Sequence, residues 1–258
     1  ARRRGLLLES LRLLGADAEP LLLAEILRGS DADNAALFSA MSLNTAARAV
    51  AKSATAALLK RAPGPRSLVA ALGLMRPSKT MRWPAGEALA VAVLRQACSG
   101  PTAEAPALLQ ALLIWAGGGR PQMNRTRTLS VRRWKGARTK LTPGADAALI
   151  SALRPALAEC GSGPRRTLIA LGIGESVDSD TVARALAAPD HAVVRGVLAR
   201  LDLRGADRPV ALRAIETLPP TKMRLLMAAL GRAPIRRDEA NALARAYVRL
   251  GASQQALG

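Results

Sequence analysis

The chain has 258 residues, half of them hydrophobic, and carries 38 Lys and Arg against 19 Asp and Glu, a formal net charge of +19. That length and apolar fraction suffice for a buried core, whereas so lopsided a charge excludes an ordinary neutral enzyme and asks for a polyanionic partner. Aromatic residues make up only 2%, and the dominance of Ala and Leu excludes a β-rich protein and predicts an all-α fold of closely packed helices.

In chain order, ARRRGLLLESLRLLGA comes first, with arginines beside leucines of helical spacing. This is the texture of the end of an organelle transit peptide, although Glu9 does not belong in a complete one. A processed mature protein is one reading; an amphipathic docking helix or a shortened chain is the other.

Helix starts are then marked by Pro at the first helical position after Gly or Thr: Gly64-Pro65, Gly100-Pro101, Thr142-Pro143 and Gly163-Pro164, with looser versions at Glu19-Pro20 and Pro220-Thr221. Apolar stretches of helical period follow (LLLAEIL, LVAALGLM, ALLQALLIWA, ALISALRPALAEC). Further helices are expected over 35–61, broken near Ser42, and over 84–98, 179–188, 192–201, 209–217, 221–230 and 237–250, with no strand. Short connections favour antiparallel neighbours, and a helical hairpin recurs at very roughly 35 to 45 residues. The expected architecture is a helical-hairpin repeat array, α-solenoid-like: an N-terminal array over 1–116, a basic loop insertion over 117–144 and a C-terminal array over 145–258.

The insertion reads GGGRPQMNRTRTLSVRRWKGARTKLTPG. Its cations, Arg120, Arg125, Arg127, Arg132, Arg133, Lys135, Arg138 and Lys140, have no acidic residue among them to neutralise their charge. Fully extended, about ten residues already track some 30 Å of a phosphate backbone. Trp134, between Arg133 and Lys135, is placed to stack on an unpaired base; the opposing reading is a solvated loop whose Trp tucks back onto the core.

A shorter element, MRPSKTMRWP, repeats the grammar with Arg76, Lys79 and Arg82 before Trp83, which serves equally well as a hydrophobic staple into the next helix. With Arg48, Lys52, Lys60, Arg61 and Arg66 it predicts a positive face across the middle helices. Residues 34–145 hold seventeen basic and two acidic side chains. Arg165-Arg166 and Arg236-Arg237 stand near predicted helix N-termini, where they oppose the macrodipole and are either held by phosphate or tolerated at the surface.

LNTAARAVAK, followed by a second Ala/Leu helix, and EANALARAYVRLG resemble helices of the degenerate organellar helical-hairpin repeat proteins, the pentatricopeptide, octotricopeptide and heptatricopeptide group that acts on organelle RNA. The resemblance implies an α-solenoid associated with organelle RNA, within a stable ribonucleoprotein. No base-reading side chain recurs at a fixed position, so a shape-directed grip on phosphates is expected rather than a one-base-per-repeat code.

Catalytic chemistry has little to work with. His191 is the only histidine and falls beside Asp190 at a predicted helix start, where capping explains it. The GxSxG, HExxH and GxxxxGK[ST] motifs are missing. The glycines of LGIGES, and Gly117 to Gly119, read as helix-ending turns. Cys98 and Cys160, 62 residues apart without a CxxC partner, indicate neither a disulfide framework nor a zinc site and are expected as small core residues. No cofactor or metal is expected. No apolar run is long enough to cross a membrane.

The expected function is therefore that of a non-enzymatic RNA-binding structural protein of a mitochondrial ribosome, contacting rRNA phosphates through basic loops and packing against neighbouring proteins. The alternative is a protein-interaction solenoid in a membrane-associated complex or a bacterial effector. A third class, a helical-repeat base-excision glycosylase, would need Glu87 or Glu104, the only carboxylates of the positive region, as its catalytic acid.

Overall fold

A computed structural model describes residues 6, 9–10, 13, 15–42, 49–75, 84–124, 129–132, 138–215, 217–231 and 237–255. Among them stand thirteen α-helices and no strand, so the fold is all-α. The chain forms two compact units, Ala1–Cys160 and Gly161–Gly258.

The first unit contains α1 (Glu19–Arg28), α2 (Asp31–Met41), α3 (Ala51–Leu59), α4 (Pro65–Leu74), α5 (Pro84–Ser99), α6 (Ala105–Ala116) and α7 (Ala147–Glu159). Each packs on the helix two places along: α1 on α3, α2 on α4, α3 on α5, α4 on α6, α5 on α7. Ala, Leu and Met fill the joints, with Phe38, Leu58, Leu72 and Leu94 all but inaccessible.

The predicted helix over 35–61 is two helices, α2 and α3, and Ser42 does close the first. α2 begins at Asp31 because Ser30 and Asp33 form a reciprocal capping box, the Ser30 hydroxyl accepting from the Asp33 amide while the Asp33 carboxylate accepts from Ser30. Asp31 has a second task. Its carboxylate accepts the amides of Arg66 (3.2 Å) and Ser67 (2.9 Å), capping the N-terminus of α4 from another helix. A Cβ at Gly64, the position ahead of α4, would overlap that carboxyl group.

The Thr142-Pro143 signal is displaced. The Asp146 carboxylate accepts the Thr142 amide (2.9 Å), folding 143–146 into a turn, and α7 starts at Ala147. Nor are the cysteines separate core residues: Cys98, near the end of α5, and Cys160, just after α7, are disulfide-bonded, with Cα atoms 5.1 Å apart. Sequence spacing could not show this, because tertiary packing of α5 on α7 brings the two helix ends together. A bidentate Arg95 to Glu159 pair (2.8 and 2.7 Å) spans the same joint.

The second unit contains α8 (Pro164–Gly172), α9 (Ser179–Ala187), α10 (His191–Leu198), α11 (Arg208–Ile215), α12 (Pro220–Leu230) and α13 (Ala240–Gln255). Asp178 caps α9 through the Thr181 amide, and Asp190 caps α10 through the amides of Ala192 and Val193. Here too α8 packs on α10, α9 on α11, α10 on α12 and α11 on α13.

Cations close helix C-termini across both units. Arg61 donates to the Ile26 and Leu27 carbonyls ending α1; Lys222 to Ala187 and Ala188 at the end of α9; Arg249 to Ile215 at the end of α11. The sequence separation is 34 or 35 residues each time. A positive group satisfies orphan carbonyls and faces the negative end of the macrodipole.

Two arginines are buried outright in the second unit. Arg208, 2% exposed, makes a bidentate pair with Glu239 (2.6 and 2.5 Å) and donates to the Leu203 carbonyl. Arg200, 6% exposed, donates to the Gly196 carbonyl (2.7 Å), while its Nε has no partner. Burial pushes the Arg200 guanidinium down to about 10.

These joints and charges give three expected outcomes. In the chain-entropy view a crosslink closing a loop of this length contributes about 4 kcal/mol, so Cys160→Ser is expected to lower stability by about 2–4 kcal/mol in urea denaturation. Arg208→Met should cost about 3–5 kcal/mol by stranding Glu239, whereas Arg200→Met removes a buried charge with no counter-ion and should raise the melting temperature.

Candidate nucleic-acid interface

Local turn chemistry sets the exit from α6 into the basic insertion. Gly118 adopts φ +77°, the left-handed region that glycine enters without cost. The amide of Gly118 then bonds the Trp115 carbonyl and that of Gly119 the Ile114 carbonyl, both at 2.8 Å, a Schellman closure. LGIGES ends α8 in the same way, with Gly174 at φ +80° and Glu175 donating to Ala170. Its glycines make a helix stop.

Beyond the stop, the chain does not run out as a straight strip. It doubles back: Met123 and Val131 form an antiparallel bridge, the Arg132 amide donates to the Gln122 carbonyl (2.7 Å), and the Asn124 amide to Ser130 (2.9 Å). Pro121, Leu129 and Leu141 are buried and pin the fold-back to the helices. The pairing of 122–124 with 130–132 returns the chain towards its start.

The predicted cations divide by environment. Arg120 is half-buried, with its guanidinium on the Ser42 hydroxyl and the Ser39 carbonyl at the end of α2. Arg138 is paired with the buried Asp146 at 2.7 Å, which corrects the view that all eight lack a carboxylate; the partner lies just past the insertion, where only the turn at 143–146 brings it close. Arg132 and Lys140 are exposed. Arg125, Arg127, Arg133, Trp134, Lys135, Arg76, Lys79, Arg82 and Trp83 lie outside the described residues, as do Arg48 and Arg236.

Elsewhere on the predicted positive face, Lys52 and Lys60 are exposed and Arg61 serves as the α1 cap. Arg165 and Arg166 are half-buried in the first turn of α8. His191 is exposed at the start of α10, and the cap is Asp190. Glu87 stands in the first turn of α5, and Glu104 precedes α6 with one carboxylate oxygen buried and unbonded.

Arg66 and the segment 120–124 border a groove of about 700 Å³ against α2 and α4. Sequence reasoning missed it. The one signal was the i, i+4, i+8 spacing of Ala32, Ala36 and Ala40 on α2, the face turned away from buried Leu37, Phe38 and Met41. Gly73 lets the loop approach, since a Cβ there would lie 3.1 Å from the Pro121 carbonyl oxygen.

Among the described residues no cluster of His, Cys, Asp or Glu could hold a metal ion, and no helix is long and apolar enough to cross a membrane. Comparison with protein-family models, with curated proteins and with solved structures finds no match.

The two kinds of cation should separate in mutagenesis. Arg138→Ala is expected to lose about 1–3 kcal/mol of stability by leaving the Asp146 carboxylate buried without its counter-charge, while Lys140→Ala stays within about 0.5 kcal/mol of the parent in thermal unfolding.

Proposed function

We propose that the protein is a non-enzymatic RNA-binding scaffold, an α-solenoid of helical hairpins that grips structured RNA through phosphates, as a ribosomal protein of a mitochondrion does. The observation that carries this reading is the manner in which the insertion is held. Both of its ends are fixed to helices, by the Gly118 closure and Arg120 at one side and by Arg138–Asp146 and Leu141 at the other. Exposed Arg132 and Lys140 then stand on a pinned fold-back whose own sequence has no carboxylate. A pre-ordered basic surface binds phosphates with less loss of conformational entropy than a free tail.

The solenoid part of the proposal is supported by the packing of every helix on its second neighbour within each unit, and by the 34 or 35 residues that separate each C-terminal capping cation from the carbonyls it closes. That interval lies at the short edge of the period read from the sequence. A mitochondrial setting fits the Arg-rich N-terminal texture. In a reducing matrix Cys98 and Cys160 would stand as adjacent thiols; in an oxidising compartment the disulfide persists.

A second reading, a protein-interaction solenoid, is favoured by one feature: Leu21 and Leu27 of α1 are more than half exposed, as are Leu6 and Leu13 before it. A neighbouring protein in the ribonucleoprotein would account for them within the first reading as well.

The experiment is a salt titration of binding to single-stranded RNA. Each phosphate contact contributes roughly −0.7 to the slope of log K against log salt, so Arg132→Ala with Lys140→Ala should flatten it by roughly 1.4. An unchanged slope removes these side chains from the interface, and absence of RNA binding at low salt turns the function towards the protein-interaction solenoid.

A further inference from the structure

We infer that the groove between α2, α4 and the segment 120–124 seats an unpaired nucleotide of the bound RNA, with the base against its alanine-lined walls and its phosphate towards Arg66 and Arg120. The inference rests on the proposed RNA-binding reading and assigns it a pocket. At about 700 Å³ the groove falls within the range of small-ligand sites.

Its walls suit a flat ring. On one side Ala32, Ala36 and Ala40 succeed one another at helical spacing, and on the other stands Ala70 of α4, with Gly73 covered by Pro121 and Arg120. These methyl groups line a slot in which a ring finds van der Waals partners. Bulky apolar side chains, which a hydrophobic peptide anchor would need, are few here.

The third wall is polar. Gln122 and Asn124 are exposed, and their amides offer both donors and acceptors, the combination that a base edge presents in return. The Asn124 amide is steadied by Ser130 (2.6 Å). Arg66 and Arg120 supply positive charge, Arg120 being positioned by Ser39 and Ser42, and none of the lining residues is acidic. Planar contact, edge polarity and a phosphate-compatible rim together describe a nucleotide; an acidic peptide would answer only the charge.

The test uses the full chain and a short oligouridylate carrying 4-thiouridine. Photo-crosslinks are expected within 31–42 or 65–74, and Ala36→Leu, which fills the slot, should weaken binding about tenfold and remove those crosslinks. If Ala36→Leu shifts the melting temperature, Gln122→Ala with Asn124→Ala is read instead, and should lower crosslink yield at the groove without a change in melting. RNA bound at parent affinity by the Ala36→Leu protein, with crosslinks only outside the groove, overturns this inference and leaves the RNA-binding function standing. Polyglutamate displacing the oligonucleotide from the groove at equal charge concentration also overturns it, in favour of an acidic peptide. No RNA binding at low salt overturns the function and the inference together.

Discussion

Twice as many cations as carboxylates have to be accommodated in this fold, and the rest of the structure depends on where the surplus goes. Carboxylates cannot neutralise it, and a guanidinium or ammonium group taken from water needs oxygen partners. Helix C-termini supply them. Arg61, Lys222 and Arg249 end helices that lie two or three elements earlier, and Arg200 ends its own. In each unit, positive charge thus becomes part of the joint between stacked helices. Other described cations, such as Lys52, Lys60, Arg132 and Lys140, are turned outward.

The same logic reaches the basic insertion. An unbroken run of like charge would repel itself into an open loop, yet this one is folded back and anchored. Glycine closes the helix before it, leucines sink into the core, and two of its arginines are spent on Ser42 and Asp146. That anchoring gives position to the remainder: Arg132 and Lys140 are presented by backbone held on α2 and α7 rather than by a tether. The groove beside Arg120 exists for the same reason, since the loop can press on α4 only where Gly73 has no side chain.

Small residues set the distances on which all this relies. With 2% aromatics the core lacks bulky spacers, so helices come close and their ends can be bonded across a joint. Asp31 reaching the α4 amides past Gly64 is one case. Phe38 and Trp115 are exceptions: the Trp115 ring lies against Gly86, where a Cβ would come within 2.9 Å, and its indole N–H bonds the Met75 carbonyl. Cys98 and Cys160 add a covalent tie where α5 and α7 already touch.

What the sequence by itself determined is local: the all-helical class, most helix positions, the stops at Gly118 and Gly174, and the concentration of charge in the middle of the chain. Capping boxes, proline starts and apolar periodicity act within a few residues, so they can be read without the fold. Where a second local interaction intervened, as at Ser30 and Asp33 or at the turn through Asp146, the boundaries moved. Only the tertiary structure decided which cations are bonded into the fold. Arg120, Arg138 and Lys222 look alike in sequence to Arg132 and Lys140, yet a hydroxyl and carbonyls from distant segments hold Arg120 and Lys222, and the turn at 143–146 brings the Asp146 carboxylate to Arg138. The disulfide and the alanine-walled groove belong to the same class, because each needs two helices distant in sequence to lie side by side, and burial, not pattern, places them there.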